Sequence, residues 1–97
     1  MKITGIRTTL VEVPMERPIV SRIRVSSTMT HLLVDLETDE GLTGQTYLTT
    51  FGQDWGRAVI ELLRGLEAQV RGMDPRETAP LYRKMWQATS MAGRRGL

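Results

Sequence analysis

Between His31 and Phe51 the hydrophobic and polar positions alternate in a way that predicts two strands and a tight turn. Leu32, Val34 and Leu36 interleave with His31, Leu33, Asp35 and Glu37, the period of two expected when one strand face is more buried than the other. Asp39-Glu40-Gly41 supplies turn chemistry: an Asp able to bond its own backbone and a Gly free to take positive φ. Leu42 to Leu48 runs back, and Gly44 within it marks either a bulge or a close backbone approach. The rest of the chain is expected to pack on this hairpin.

Upstream, Lys2 to Val13 is rich in Thr, Val, Ile and Leu and predicts a first strand that ends at Pro14. Ile6 and Leu10 fall on one face and Ile3, Val11 and Val13 on the other, as in a strand covered on both sides over part of its length. Pro14 and Pro18 bracket Met15-Glu16-Arg17 and should stop any ladder there. Ser21, Ser26, Ser27 and Thr28 make Ile19 to Thr30 read as a long connection with at most weak pairing. Loops of that length in compact domains are more often functional than idle.

After Phe51-Gly52 the period changes to that of a helix. Val59, Leu62, Leu63, Leu66 and Val70 trace one apolar stripe, with Arg57, Glu61, Arg64 and Glu67 opposite. Arg57/Glu61 and Glu67/Arg71 have the spacing of ion pairs worth ~0.2–0.5 kcal/mol each. Asp54 or Thr50 is placed to cap the start and Gly72 to close the end. Gly65 costs the helix interior about 1 kcal/mol, tolerable if it lets a neighbour approach closely. Asp74-Pro75-Arg76-Glu77 carries a second helix-start signature, followed by a stripe of Thr78, Leu81, Tyr82, Met85, Trp86 and Thr89. Pro80 requires either a kink or a regular helix beginning near Thr78. Met73, Met85 and Met91, with Trp55, Trp86 and Tyr82, are expected in the core and between helices.

Composition narrows the picture. Ninety-seven residues make one domain, and 40% apolar with 25% charged residues excludes disorder. No apolar run approaches the ~18 residues of a membrane span, and Met1 to Gly5 is too polar for a signal peptide. The absence of cysteine excludes thiolate metal sites and makes an intracellular, cytoplasmic location the default. A net charge of +2, with basic residues spread along the chain, gives little reason to expect nucleic acid. Arg17, Arg22 and Arg24 form the densest basic group.

The candidate chemistry is sparse. Asp35, Glu37, Asp39 and Glu40 form the acidic cluster, but carboxylates along a flat strand do not converge on a cation, so they read as a solvated face and turn. His31, the single histidine, lacks an oriented partner in sequence and reads as a polar strand residue. No serine sits in a nucleophile elbow, and Gly93-Arg94-Arg95-Gly96 reads as a helix-boundary loop rather than a phosphate grip. Two segments remain: Ile19–Thr28 and the junction Thr49–Gln53, where Phe51 beside Gly52 suits a ligand or partner surface.

Taken together, Ile3-Thr4-Gly5-Ile6-Arg7-Thr8, Val13-Pro14, Pro18-Ile19-Val20, Leu32–Leu36, Asp39-Glu40-Gly41-Leu42-Thr43-Gly44, Tyr47-Leu48 and Gly72-Met73-Asp74-Pro75 resemble the N-terminal capping domain of the enolase superfamily. The mandelate racemase and muconate lactonizing subgroup is the nearest match. The resemblance implies an α+β fold, with a three-stranded antiparallel β-meander (1–50) followed by a helical bundle (51–97) in a single capping domain. It implies an isomerase or lyase, such as a racemase or acid-sugar dehydratase, that uses Mg²⁺ to stabilise an enediolate. Metal ligands and bases would lie on a following (β/α)₇β barrel that is absent from this chain. The chain alone is therefore expected to hold no catalytic or metal-ligating residue. Its expected partners are that C-terminal barrel domain, a small carboxylate or acid-sugar substrate and further copies in a homo-oligomer, with no nucleic acid and no membrane. In such a cap, two loops cover the barrel mouth, and Ile19, Arg22, Arg24, Val25, Thr49 and Phe51 occupy them. Ile19, Phe51 and Val25 match apolar substrate contacts, and Arg22 and Arg24 favour a polyhydroxy or doubly acidic substrate. The alternative is a free-standing protein-interaction domain, and a third reading, a weak nucleic-acid binder, would use Arg17, Arg22 and Arg24.

Overall fold

Leu32 sits at the middle of the alternating stretch, and the sheet is built outward from it. In the computed structural model, which describes residues 1–20 and 25–92 (side chains at all of these except 18, 19, 25–27 and 92), Leu32 is fully buried. Its strand, β2 (Val25–Thr38), is central: Leu32 pairs with Leu10 of β1 (Ile3–Val20) and with Leu48 of β3 (Thr43–Thr50). The three strands form one antiparallel sheet in the order β1-β2-β3. Helices α1 (Gln53–Val70) and α2 (Thr78–Ala88) and a 3-10 turn at Ser90–Ala92 follow. The expected α+β meander followed by helices is the observed architecture.

The first strand differs from expectation in three ways, each traceable to register. It does not end at Pro14 but runs to Val20, with pairing that jumps from Pro14↔Thr28 to Ile19↔Ser26. Five steps along β1 thus match two along β2, so Pro18 is absorbed in a bulge, where its missing N–H costs no ladder bond, and Pro14, opposite Thr28, stands at the bulge's edge. Most of Ile19–Thr28 is consequently strand rather than loop, while residues 21–24 lie outside the described residues. A second irregularity, between Ile3↔Thr38 and Gly5↔Glu37, inserts one extra residue at Thr4. A one-residue slip exchanges strand faces, so Ile3 joins Ile6 on the helix side instead of opposing it. Gly44 is not a bulge; it pairs regularly with Leu36.

The core forms where the start of β1 meets the helices. Ile3, Val70 and Leu81 are buried together, with Ile6, Leu36, Met73 and Met85 packed around them. Glycine permits the close approach of α1 to the sheet, at Gly56 rather than Gly65. A Cβ on Gly56 would lie 2.5 Å from Leu10 Cδ1, whereas one on Gly65 would meet nothing within 4 Å. Gly72 closes α1 as expected, with φ 89°. The outer edge of β1 is tied down as well: Ile3 N–H donates to Met73 O (2.8 Å), Gly72 N–H to Ile3 O (2.8 Å) and Ile6 N–H to Glu67 Oε2 (2.8 Å).

The helix starts also differ. Neither Asp54 nor Thr50 caps α1; Gly52 occupies the cap position without a side-chain bond. Asp74 does not cap α2 either. Its carboxylate accepts from the Arg76 backbone N–H (3.0 Å) and from the Arg76 guanidinium (3.0 and 2.8 Å), and the helix begins at Thr78. Pro80 then falls in the first turn, where a missing N–H leaves no intrahelical bond unmade. Tyr82 and Trp86 are not core: they are 64% and 42% exposed and stack on each other at 6.0 Å. Trp55 and Met91 are exposed too.

Candidate functional site

The candidate segments share one end of the sheet. β3 finishes at Thr50, opposite Thr30, while β1 and β2 continue past it through Val13↔Met29, Pro14↔Thr28 and Ile19↔Ser26 to Val20↔Val25. The junction after Thr50 therefore emerges beside the base of the long β1–β2 ribbon. The 39–42 turn lies at the opposite end, clasping the N-terminus. Asp39 N–H donates to Lys2 O at 3.0 Å, Lys2 N–H donates to Asp39 Oδ1 at 2.9 Å, and the Met1 ammonium lies 3.5 Å from Glu40.

Within the junction, geometry follows from one residue. Gly52 adopts φ 152°, ψ 155°, a region that residues with a Cβ rarely enter. That bend takes the chain directly from strand into α1. Thr50, itself buried, donates its hydroxyl to Gly52 O at 3.2 Å and stiffens the bend. Phe51, between the two, remains 60% exposed. Thr49 is exposed on the sheet face away from α1. There its Oγ1 lies 3.2 Å from His31 Nδ1, and the Tyr47 ring meets the His31 ring edge-on at 5.5 Å.

Of the six residues singled out in sequence, Thr49 and Phe51 are adjacent at this junction. Ile19 and Val25 lie in the paired ribbon, opposite Ser26 and Val20. Arg22 and Arg24 lie outside the described residues, as do Arg94 and Arg95. The His31–Thr49–Tyr47 cluster was not singled out, although the register Thr49↔His31↔Val11 follows once the hairpin is placed.

Electrostatics elsewhere is structural. The backbone N–H of Ile6 on Glu67 holds that carboxyl below its ordinary 4.5, with Arg71 adding to the effect and partial burial opposing it. The Arg76 guanidinium holds the Asp74 carboxyl at about 2. Glu37 pairs with Arg7 at 3.3 Å. Among the described residues, no three His, Asp or Glu side chains gather closely enough to hold a metal ion, so the residues present do not fit a magnesium site.

Residues 4–94 match the family model of the mandelate racemase/muconate lactonizing enzyme N-terminal domain. The chain belongs to this family. Across its whole length this N-terminal domain is 30% identical to D-galactarolactone cycloisomerase of Agrobacterium fabrum and spans 25% of that enzyme. Its fold matches a Roseovarius nubinhibens protein assigned to the mandelate racemase/muconate lactonizing enzymes and solved with magnesium. That match has a TM-score of 0.78 and 28% identity, over 91% of this chain and 25% of the other. N-succinyl Arg/Lys racemase of Bacillus cereus matches similarly (TM-score 0.78, 25% identity, 91% of this chain, 25% of the other). The domain thus spans about a quarter of the relatives it matches. A free-standing interaction domain is not favoured by a family match of this extent.

Proposed function

We propose that this domain is the substrate-sorting cap of a magnesium-dependent enzyme that removes the proton α to a carboxylate, as a racemase or an acid-sugar dehydratase. The observation that carries the reading is the convergence at one sheet end of the ribbon holding Ile19 and Val25 and the junction holding Thr49 and Phe51. A cap placed end-on over a reaction site would exclude water and select substrates with such segments. In this reading Phe51, Ile19 and Val25 bear on apolar parts of the substrate, and Arg22 and Arg24 on acidic or hydroxyl groups. Thr49, oriented by His31, offers a hydroxyl at the same mouth. Magnesium would be held by a C-terminal barrel domain outside this chain, where it would supply electrostatic stabilisation of developing negative charge, and the proton-abstracting bases would belong to that domain too. The whole enzyme is proposed to be a cytoplasmic homo-oligomer acting on a small carboxylate.

The test uses the product of the native gene, supplied with Mg²⁺ in D₂O, against a panel of acid sugars and aromatic α-hydroxy acids. Deuterium should enter at the α carbon of at least one substrate, or an α-proton should be lost on dehydration. Phe51→Ala should shift the preference among substrates through KM more than kcat. No exchange or turnover with any member of the panel, at any Mg²⁺ concentration, would refute the proposal.

A further inference from the structure

His31 is held from two sides by β3. Thr49, directly opposite, places Oγ1 3.2 Å from His31 Nδ1, and Tyr47, diagonally opposite, sets its ring edge-on at 5.5 Å. Such cross-strand and diagonal neighbours on one face interact directly, and here they fix the imidazole with Nδ1 turned to a single hydroxyl. Its other described neighbours on that face are Thr9, Val11 and Val13 of β1 and Met29 and Leu33 along β2. None of these is charged, and of all the groups facing the ring Tyr47 alone can titrate. Along the regular register the nearest charged residues on that face are Asp35 and its partner Arg7, about 13 Å away.

A hydroxyl has one proton to give and two lone pairs to offer, so the partner it already has decides what it presents outward. When Nδ1 of a neutral imidazole is bare, Thr49 donates to it and turns its lone pairs outward. When the imidazole is protonated, Nδ1–H donates to Oγ1 and the hydroxyl proton turns outward instead. Histidine is the side chain that makes this exchange between about pH 5 and 8. In the cap proposed above, on which this rests, we infer that His31 is a positioning residue that sets the sense of the Thr49 hydroxyl. Thr49 is an acceptor for a substrate hydroxyl at the higher pH and a donor for a substrate carboxylate at the lower. Thr49 is exposed, and its branched side chain is stiff, so the hydroxyl is presented at a nearly fixed point. The imidazolium charge behind it strengthens the bond to a carboxylate.

The product of the native gene, labelled with ¹⁵N-histidine and supplied with Mg²⁺, reports on His31 by NMR, its signals assigned by their loss in His31→Gln. At about pH 8 Nδ1 should be unprotonated, and its resonance should move in Thr49→Val but stay in Thr49→Ser. A protonated Nδ1 at that pH, or signals indifferent to Thr49→Val, would overturn the inference whatever the enzyme turns over. The panel member that turns over is then compared with its analogue in which a hydroxyl remote from the reacting carbon is exchanged for a carboxylate, or the reverse. The ratio of kcat/KM, carboxylate over hydroxyl, cancels ionisations that touch both substrates alike. It should fall about tenfold between about pH 5 and 8, through KM more than kcat. The fall should vanish in His31→Gln and Thr49→Val and persist in Thr49→Ser. A flat ratio in the wild type, or an equal fall in His31→Gln, overturns the inference and leaves the cap reading standing; no turnover across the panel removes the cap reading and this role of His31 with it.

Discussion

Two identical substitutions in α1 should have different effects. At Gly56 an added methyl would stand 2.5 Å from Leu10 Cδ1, 3.3 Å from Thr50 Oγ1 and 3.5 Å from Leu10 Cδ2. Non-bonded carbons settle at about 3.5–4.0 Å, so the first contact is about 1 Å too short. Either Leu10 must leave its packed position or α1 must lift from the sheet, and overpacking of this kind costs ~1–3 kcal/mol. At Gly65 the methyl meets nothing within 4 Å. Both variants gain the same helix-propensity term, about 1 kcal/mol for Ala over Gly. Gly65→Ala should therefore raise stability by about 1 kcal/mol, while Gly56→Ala should leave it unchanged or lower it by up to ~2 kcal/mol. The difference between them, ~1–3 kcal/mol, isolates the steric cost, because propensity cancels. Urea denaturation followed by circular dichroism at 222 nm measures both, and adding Leu10→Ala to Gly56→Ala should recover most of the steric loss. Equal stabilisation by the two substitutions would refute the claim that contact at Gly56 sets the distance between α1 and the sheet.

Glu67→Gln should cost about 1 kcal/mol at neutral pH, because a charge-assisted bond to Ile6 N–H becomes a neutral one. Since the folded-state pKa of Glu67 is depressed, its contribution is present above the unfolded value and lost as pH falls through the folded one. The wild-type chain should thus lose stability below about pH 4.5 more steeply than Glu67→Gln, as read by denaturation across pH. Asp74 should titrate near 2 by carboxyl-carbon NMR and return towards 3.8 in Arg76→Ala; an unmoved midpoint would discredit the pairing. Phe51→Ala should change the stability of the chain by no more than ~0.5 kcal/mol, as for an exposed site, so any effect on turnover in the whole enzyme is read as substrate contact.

The parts legible in the sequence were those with a local period. The β2–β3 hairpin and the α1 stripe announced themselves because alternation and helical spacing need no knowledge of a partner. Ile3 was assigned to the wrong face because a bulge at Thr4 is fixed by what pairs across from it, and that appears nowhere in the run from Lys2 to Val13. For the same reason Pro14 looked like an end when it is an irregularity inside a longer strand. The acid at Asp74 has the right spacing for a helix cap, yet Arg76 two residues on takes it first. Tyr82 and Trp86 show a helix stripe correctly but not what covers it. Gly56 and Gly65 are indistinguishable in sequence, and only the position of Leu10 separates them. At the candidate site, the exposure of Phe51 followed from its place between two patterns, while the contact of His31 with Thr49 required the register.

The clasp at the front of the molecule has a practical consequence. Met1 and Lys2 are held by the 39–40 turn, and Ile3, fully buried, follows at once. Leading ends of domains are commonly frayed; here the turn bonds the residue that directly precedes the buried interior. Loosening that turn, as in Asp39→Ala, would free the residues immediately ahead of Ile3 and so unsettle part of the foundation.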